Sequence, residues 1–153
     1  MVMQYVPARD MVVQVLAADG TTWGEVEGLD DIGLDPSAQE VMTDKTTYGS
    51  GGLYEGLKIQ VGAEVQLTGK LMKDSVSGAQ APYQLRCTVL AAALAYAGLG
   101  QVRFRASELT DTTWTKWGEA TFSLGNSGGG NNDLRTFTCK VGRNGASSSE
   151  SVV

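Results

Sequence analysis

Residues 60–72 read QVGAEVQLTGKLM, and their alternation decides the fold class. Val61, Ala63, Val65, Leu67 and Leu71 fall on one side of an extended chain, while Gln60, Glu64, Gln66, Thr68 and Lys70 fall on the other. Successive side chains of a strand point to opposite faces, so this is the pattern of a half-buried antiparallel strand. The apolar set is expected on a core and the five polar residues in water.

Other segments repeat the pattern. MVVQVLAA (11–18) is a first strand, and in QVRFRASE (101–108) Val102 and Phe104 oppose Arg103 and Arg105. LRTFTCKVG (134–142) alternates through Phe137, Cys139 and Val141. TWTKWGEATFSLG (113–125) predicts a long strand with Trp114, Ala120, Phe122 and Leu124 on one face, and GNSGGGNND (125–133) predicts the hairpin loop after it. APYQLRCTVLAAALAYA (81–97) changes the period: Leu85, Val89, Leu90, Ala93, Leu94 and Ala97 recur at helical spacing, with Pro82 in the first turn and Gly98 as the stop. One helix among strands, without βαβ alternation, predicts an α+β fold that is mainly β. The expected form is an antiparallel β-sandwich or half-barrel with one flanking helix. It would span residues 1–142 as a single domain, with 143–153 a flexible polar C-terminal tail.

Between strands lies GLDDIGLDPSAQEVMTDKTTYGSGGLYEGLKI (28–59), too long for an ordinary connection and expected as a functional loop. Ser37 to Glu40 fits a capping box for one helical turn. Charge is uneven: residues 1–58 hold ten acids and three bases, whereas 59–153 hold seven acids and nine bases.

The 153 residues form one domain's worth of chain, and several function classes drop out on composition. A net charge of −5 provides no footprint for phosphate backbones or anionic lipid. With no His in the chain, Ser-His-Asp, Cys-His and His-ligated metal chemistry cannot be built from it. GSGGLYEG does not match GxGxxG, and Gly69-Lys70 lies inside a strand and not at a loop-to-helix junction. Asp30, Asp31, Asp35 and Glu40 lack the alternate spacing of a calcium loop and read as a solvated acidic turn. Cys87 and Cys139 form no CxxC and read as two buried reduced thiols. No catalytic residue, cofactor or metal site is expected. The start of the chain lacks the plan of a signal peptide, and the apolar run from Val89 to Leu99 is half the roughly 20 residues of a membrane span, so no membrane partner is expected.

Trp114 and Trp117 lie on opposite faces of their strand, so one faces the core and the other is exposed or covered, which makes both interface candidates. Arg103 and Arg105, with Lys116 across a hairpin, are candidates for a solvated face or for ion pairs with the acidic loop of a neighbouring subunit.

In order of elements, the chain from about residue 10 to 142 resembles the major tail tube proteins of long-tailed, siphovirus-type bacteriophages. The resemblance is carried by TTWGEVEGLDDIGL, VMTDKTTYGSGGLYEGLK, QVGAEVQLTGKLM, APYQLRCTVLAAALAYAG and TWTKWGEATFSLGNSGGGNNDLRTFTCKVG. It implies a non-enzymatic structural virion protein, assembled as hexameric rings stacked into a conduit for DNA ejection. Its partners would be itself and other tail proteins such as the tape measure and tail terminator. It would reside in the virion tail, and in the host cytoplasm during assembly. The resemblance assigns residues 44–57 to contacts between subunits or rings, with Asp44, Lys45, Thr46, Thr47, Tyr48, Gly51, Gly52 and Tyr54 as the candidates. Gln60, Glu64, Gln66, Thr68 and Lys70 become lumen-side candidates. Longer family members carry an immunoglobulin-like C-terminal domain, and GRNGASSSESVV (142–153) is expected to be only a polar tail in its place. DNA would pass without specific binding, because a basic wall would grip it through many phosphates. Two readings stay open beside this one: the inner tube of a contractile tail or type VI secretion system, and a small β-sandwich ligand-binding module with a tryptophan stacked on its ligand. A carboxylate-only glycosidase ranks below them, since the acids form no recognisable pair.

Overall fold

A computed structural model of the chain describes residues 1–106 and 111–152. Among the described residues ten strands and one α-helix follow in order: β1 (Val12–Leu16), β2 (Trp23–Glu25), β3 (Leu29–Asp35), β4 (Val41–Asp44), β5 (Gly56–Gln60), β6 (Glu64–Lys70), α1 (Pro82–Ala92), β7 (Leu99–Arg105), β8 (Thr113–Leu124), β9 (Thr136–Arg143) and β10 (Ser147–Ser151). Eight strands make one antiparallel sheet ordered β2-β1-β7-β8-β9-β6-β3, with β10 paired to β8. β4 and β5 form a separate hairpin. The fold is therefore mainly antiparallel β with a single flanking helix. Of the QVRFRASE strand, Ser107 and Glu108 lie outside the described residues.

Strand β6 carries the expected alternation: Val65 and Leu67 are fully buried, while Gln66 points to solvent. It pairs with β9 on one side and β3 on the other, so that Leu67, for example, lies between Cys139 and Ile32. The strand does not begin at residue 60, however. Gln60 ends β5, and Val61 is exposed in the short link to β6.

The long strand β8 departs from strict alternation. Gly100 pairs with Ala120 but Val102 pairs with Trp117, so Gly118 and Glu119 together oppose Gln101 in a bulge. The extra residue shifts the parity, and Trp117 faces the core together with Ala120 and Phe122. Trp114, expected on the face of Ala120, lies on the other one, and Leu124 is 45% exposed. Trp117 packs edge-on to Phe104 at 5.2 Å between ring centres.

The helix is shorter and rotated relative to the expected one. It ends at Ala92, Leu94 is 85% exposed, and a 3-10 turn spans Ala95–Gly98. Its buried face is Gln84, Cys87 and Leu90, leaving Leu85 and Val89 outside. A polar anchor accounts for the rotation. The Gln84 amide donates to the carbonyls of Glu27 (2.7 Å) and Lys70 (2.8 Å), and its oxygen accepts the Met72 N–H (3.0 Å). Beside it the Glu27 carboxylate accepts the N–H groups of Tyr83 and Gln84, supplying the N-terminal cap that Ala81 cannot. Gly100 makes room for the helix, since a Cβ there would lie 2.5 Å from Leu90 Cδ1.

Two further segments differ from expectation. Region 28–59 holds β3, β4 and β5; a bulge at Asp30, between the Leu29–Gly69 and Asp31–Thr68 pairs, breaks the alternation of β3. Residues 143–151 are not a free tail: β9 runs to Arg143, and after a turn at Gly145 β10 pairs with β8 through Ser147–Trp117 and Ser151–Thr113.

Candidate assembly surfaces

Three surfaces carry the residues singled out in the sequence. The first is the outward side of β3, β6, β9 and the second half of β8. Its cross-strand rows read Asp31, Thr68, Thr138; then Gly33, Gln66, Lys140, Ser123; then Asp35, Glu64, Gly142, Thr121. No large apolar side chain enters these rows. The acids Asp31, Asp35 and Glu64 share this side of the sheet with the bases Lys70 and Lys140, which leaves a slight acidic excess. Gln66 donates to Glu64 at 2.9 Å, and Lys70 lies 3.7 Å from Asp30. Glu64, Gln66, Thr68 and Lys70 thus share one face; Gln60 is on the hairpin instead, donating to the Gln39 carbonyl at 2.7 Å.

The second surface is the β4–β5 hairpin. Every residue of β4 is exposed, and β5 is exposed except for half-buried Gly56. A two-stranded ribbon of this kind is marginal alone in water. Its tip is nevertheless ordered by local polar contacts. Lys45 N–H donates to the Glu55 carbonyl at 2.9 Å, Glu55 N–H to the Thr46 hydroxyl at 2.9 Å, and Thr46 N–H to Asp44 at 2.8 Å. The Thr46 hydroxyl and N–H hold the Asp44 carboxyl below the usual range. Thr47 and Ser50 cap a 3-10 turn that Gly51 ends at φ 65°, with Gly52 following at φ 83°. On this ordered backbone Tyr48, Leu53, Tyr54, Leu57 and Ile59 are all exposed, Tyr48 completely.

The third surface is the outward side of β1, β2, β7, β10 and the first half of β8. Arg103 lies between two indoles, its guanidinium carbon 4.5 Å from the Trp23 ring centre and 4.6 Å from that of Trp114. Arg105 stacks on Trp114 at 4.6 Å, extending a tryptophan–arginine ladder. Arg103 Nε donates to Gln14 at 2.8 Å, and its Nη1 is 3.6 Å from Glu150 on β10, whose second oxygen lies 3.8 Å from Lys116. Burial lowers the Arg103 pKa and Arg105 adds to this, while Glu150 opposes both. Arg103 thus has an acidic partner, Glu150, within its own chain. Trp114 is only 5% exposed under the arginines, and Trp117 is 1% exposed in the core, so neither is an open interface residue of the isolated chain. Trp23 and Glu150 were not legible as members of this cluster, because Glu150 stands among serines that show no contrast between faces.

Cys87 and Cys139 are free and buried in the core. Leu85 and Val89 flank a cavity of about 280 Å³ with Ala17, Ala18, Pro82, Tyr83 and Arg86. Among the described residues no helix is long and apolar enough to cross a membrane.

The architecture has known counterparts. The chain superposes on a chain from the virion of a native gene transfer agent particle with a TM-score of 0.62 at 15% identity, covering 95% of this chain and 98% of that one. At this identity the likeness is one of fold. A chain of the anti-feeding prophage baseplate, 6-fold symmetrised, gives 0.60 at 15% identity over 99% and 98% of the two chains. One from the sheath–tube complex of the PVC extracellular contractile injection system, in its extended state, gives 0.54 at 10% identity over 97% and 93%. No family model and no curated protein matches the sequence.

Proposed function

We propose that this chain is the structural subunit of a tail tube: a non-enzymatic protein that assembles with copies of itself into stacked, hexameric rings around a channel for DNA. The observation that carries the reading is the polar face of β3, β6, β9 and β8, on a fold otherwise found in tailed particles. An antiparallel sheet commonly keeps one polar face in water, and on this fold a face free of large apolar groups suits the wall of a water-filled channel. Lined by Thr68, Thr138, Gln66 and Lys140 with a slight acidic excess, such a wall offers a passing duplex few cationic contacts. The β4–β5 hairpin supplies contacts between subunits or rings through Tyr48, Leu53 and Tyr54. The tape measure and tail terminator would meet the tube at its ends, and the assembled protein would reside in the virion tail.

A siphovirus-type tail and the inner tube of a contractile system both fit this geometry, and structures of both gene transfer agent and injection-system particles share the fold. The ligand-binding module is disfavoured, since Trp114 and Trp117 are buried and present no stacking platform. Negative-stain electron microscopy of the purified protein at increasing concentration tests the proposal. Six-fold rings or tubes are expected, and a monomer at all concentrations would overturn it.

A further inference from the structure

We propose that residues 1–6 of one copy of this chain enter, as an added β-strand, an open slot between β1 and β3 of a second copy. The main sheet has two ends, β2 and β3, which follow each other in the chain but do not pair. β2 lies only along Gln14, Val15 and Leu16 of β1, so Val12 and Val13 pair with β7 on one side and, among the described residues, with no strand on the other. β3 pairs with β6 alone. Between the start of β1 and the start of β3 lies a cavity of about 580 Å³, with Met11, Val12, Val13, Val26, Leu29 and Ile32 as its apolar lining. Val13 and Val26 belong to the core cluster, and Met11, Leu29 and Ile32 pack against it, so the slot opens onto the core. An unpaired edge beside an apolar gap is a template for one more strand, because its backbone groups need partners and its gap needs side chains.

The chain carries a segment suited to it. Residues 1–7 read MVMQYVP, form no regular element and are exposed throughout, Met1 and Tyr5 completely. Extended, they put Met1, Met3 and Tyr5 on one side and Val2, Gln4 and Val6 on the other, so one side is wholly apolar. Val and Tyr favour strands, and Val6, preceding Pro7, is biased to extended backbone by the proline ring. At about 3.3 Å per residue, six residues reach roughly 20 Å, enough to run the length of Leu29–Ile32. Charge agrees. The slot is bordered by Glu25, Glu27, Asp30 and Asp31 against Arg9 alone, whereas residues 1–7 contain no acid and are followed by Arg9. An inserted segment therefore brings a base to the acidic rim.

The chain's own slot does not hold the segment. Ala8 and Arg9 stand at the slot, in a turn closed by Asp10 N–H to the Pro7 carbonyl at 3.1 Å and Met11 N–H to the Ala8 carbonyl at 3.2 Å, and residues 1–6 leave that turn into solvent. A second copy offers the same segment with its turn intact. Because segment and slot are different surfaces of one chain, the contact is head-to-tail and repeats from copy to copy, as a closed ring or a stack requires. The inference rests on the self-association within the tube reading and adds which edge and which segment join.

The test places the photoreactive amino acid p-benzoylphenylalanine at position 5 of the full chain, in place of Tyr5, and irradiates the purified protein at the concentration used for electron microscopy. Denaturing electrophoresis should show cross-linked dimers and longer ladders, with the link mapped by mass spectrometry to residues 11–13 or 25–32 of a second copy. Met3→Asp in the same chain puts a charge where the isolated subunit is exposed, so circular dichroism should not change, yet the cross-linked yield should fall about tenfold. A link confined to a single chain, links outside the slot, monomers only, or a yield indifferent to Met3→Asp would each overturn the proposal. Micrographs of the same sample read the tube separately. Tubes whose links fall elsewhere refute the inserted strand alone, and slot-linked chains without rings or tubes refute the tube alone.

Discussion

The guanidinium of Arg103 lies over the indole of Trp114, 4.6 Å from its ring centre, and this contact joins two neighbouring strands. Arg103 is on β7 and Trp114 on β8, and the carboxylate that pairs with Arg103 comes from β10. Replacing Arg103 with Ala removes stacking on both Trp23 and Trp114 and leaves Glu150 with Lys116 alone. The expected loss is about 1–2 kcal/mol in denaturant unfolding. Hydrogen exchange should become faster first in residues 147–151. Uniform protection across β10 in the variant would argue against the ladder as its anchor.

Gln84→Leu tests the helix anchor. The variant leaves the Met72 N–H and the carbonyls of Glu27 and Lys70 without their side-chain partner inside the protein. A loss of about 2–4 kcal/mol is expected, since buried groups left unpaired bear their full desolvation cost. Leu85→Gln, on the exposed side of the same helix, should change the unfolding midpoint little.

The two faces of β6 should respond differently to the same new charge. Leu67→Asp places a carboxylate at a fully buried position and is expected to abolish folding, read by circular dichroism, because burying an unpaired charge costs several kcal/mol. Gln66→Asp, one residue earlier and exposed, should fold normally. Equal damage from both would contradict the observed face assignment.

Replacing the hairpin tip, residues 45–55, with a two-residue Asn-Gly turn separates folding from assembly. Both strands of the hairpin stay outside the main sheet, so the shortened chain should keep its circular dichroism and melting midpoint. Sedimentation should show that rings or tubes no longer form. Assembly at wild-type concentration would remove the tip from the interface.

Where a segment has one buried and one wet face, its sequence was enough. The alternation read over 60–72, 101–108 and 134–142 predicts strands that the structure contains as Glu64–Lys70, Leu99–Arg105 and Thr136–Arg143, with Val65, Leu67, Val102, Phe104, Phe137, Cys139 and Val141 inward as expected and Val61 exposed against expectation. β3 and β8 were harder because each carries a bulge, and one extra residue reverses the parity of all that follows. Strands β4, β5 and β10 left no periodic trace, since both faces of each are largely exposed and nothing selects apolar residues on one of them.

What the sequence by itself determined is the set of residues that must leave water, and with it the antiparallel β class and the helix between β6 and β7. That follows from local periodicity, which records burial along one element at a time. Tertiary structure alone decided which faces meet. Glu27 and the strand-end carbonyls choose the Gln84 face of α1 over the more apolar Leu85 face, because a buried amide must find partners and an exposed leucine costs little. The same packing turns distant Trp23, Arg103, Trp114 and Glu150 into one ladder and places Cys87 and Cys139 in one core. Such contacts depend on the register between strands far apart in the chain, and no local pattern of residues encodes that register.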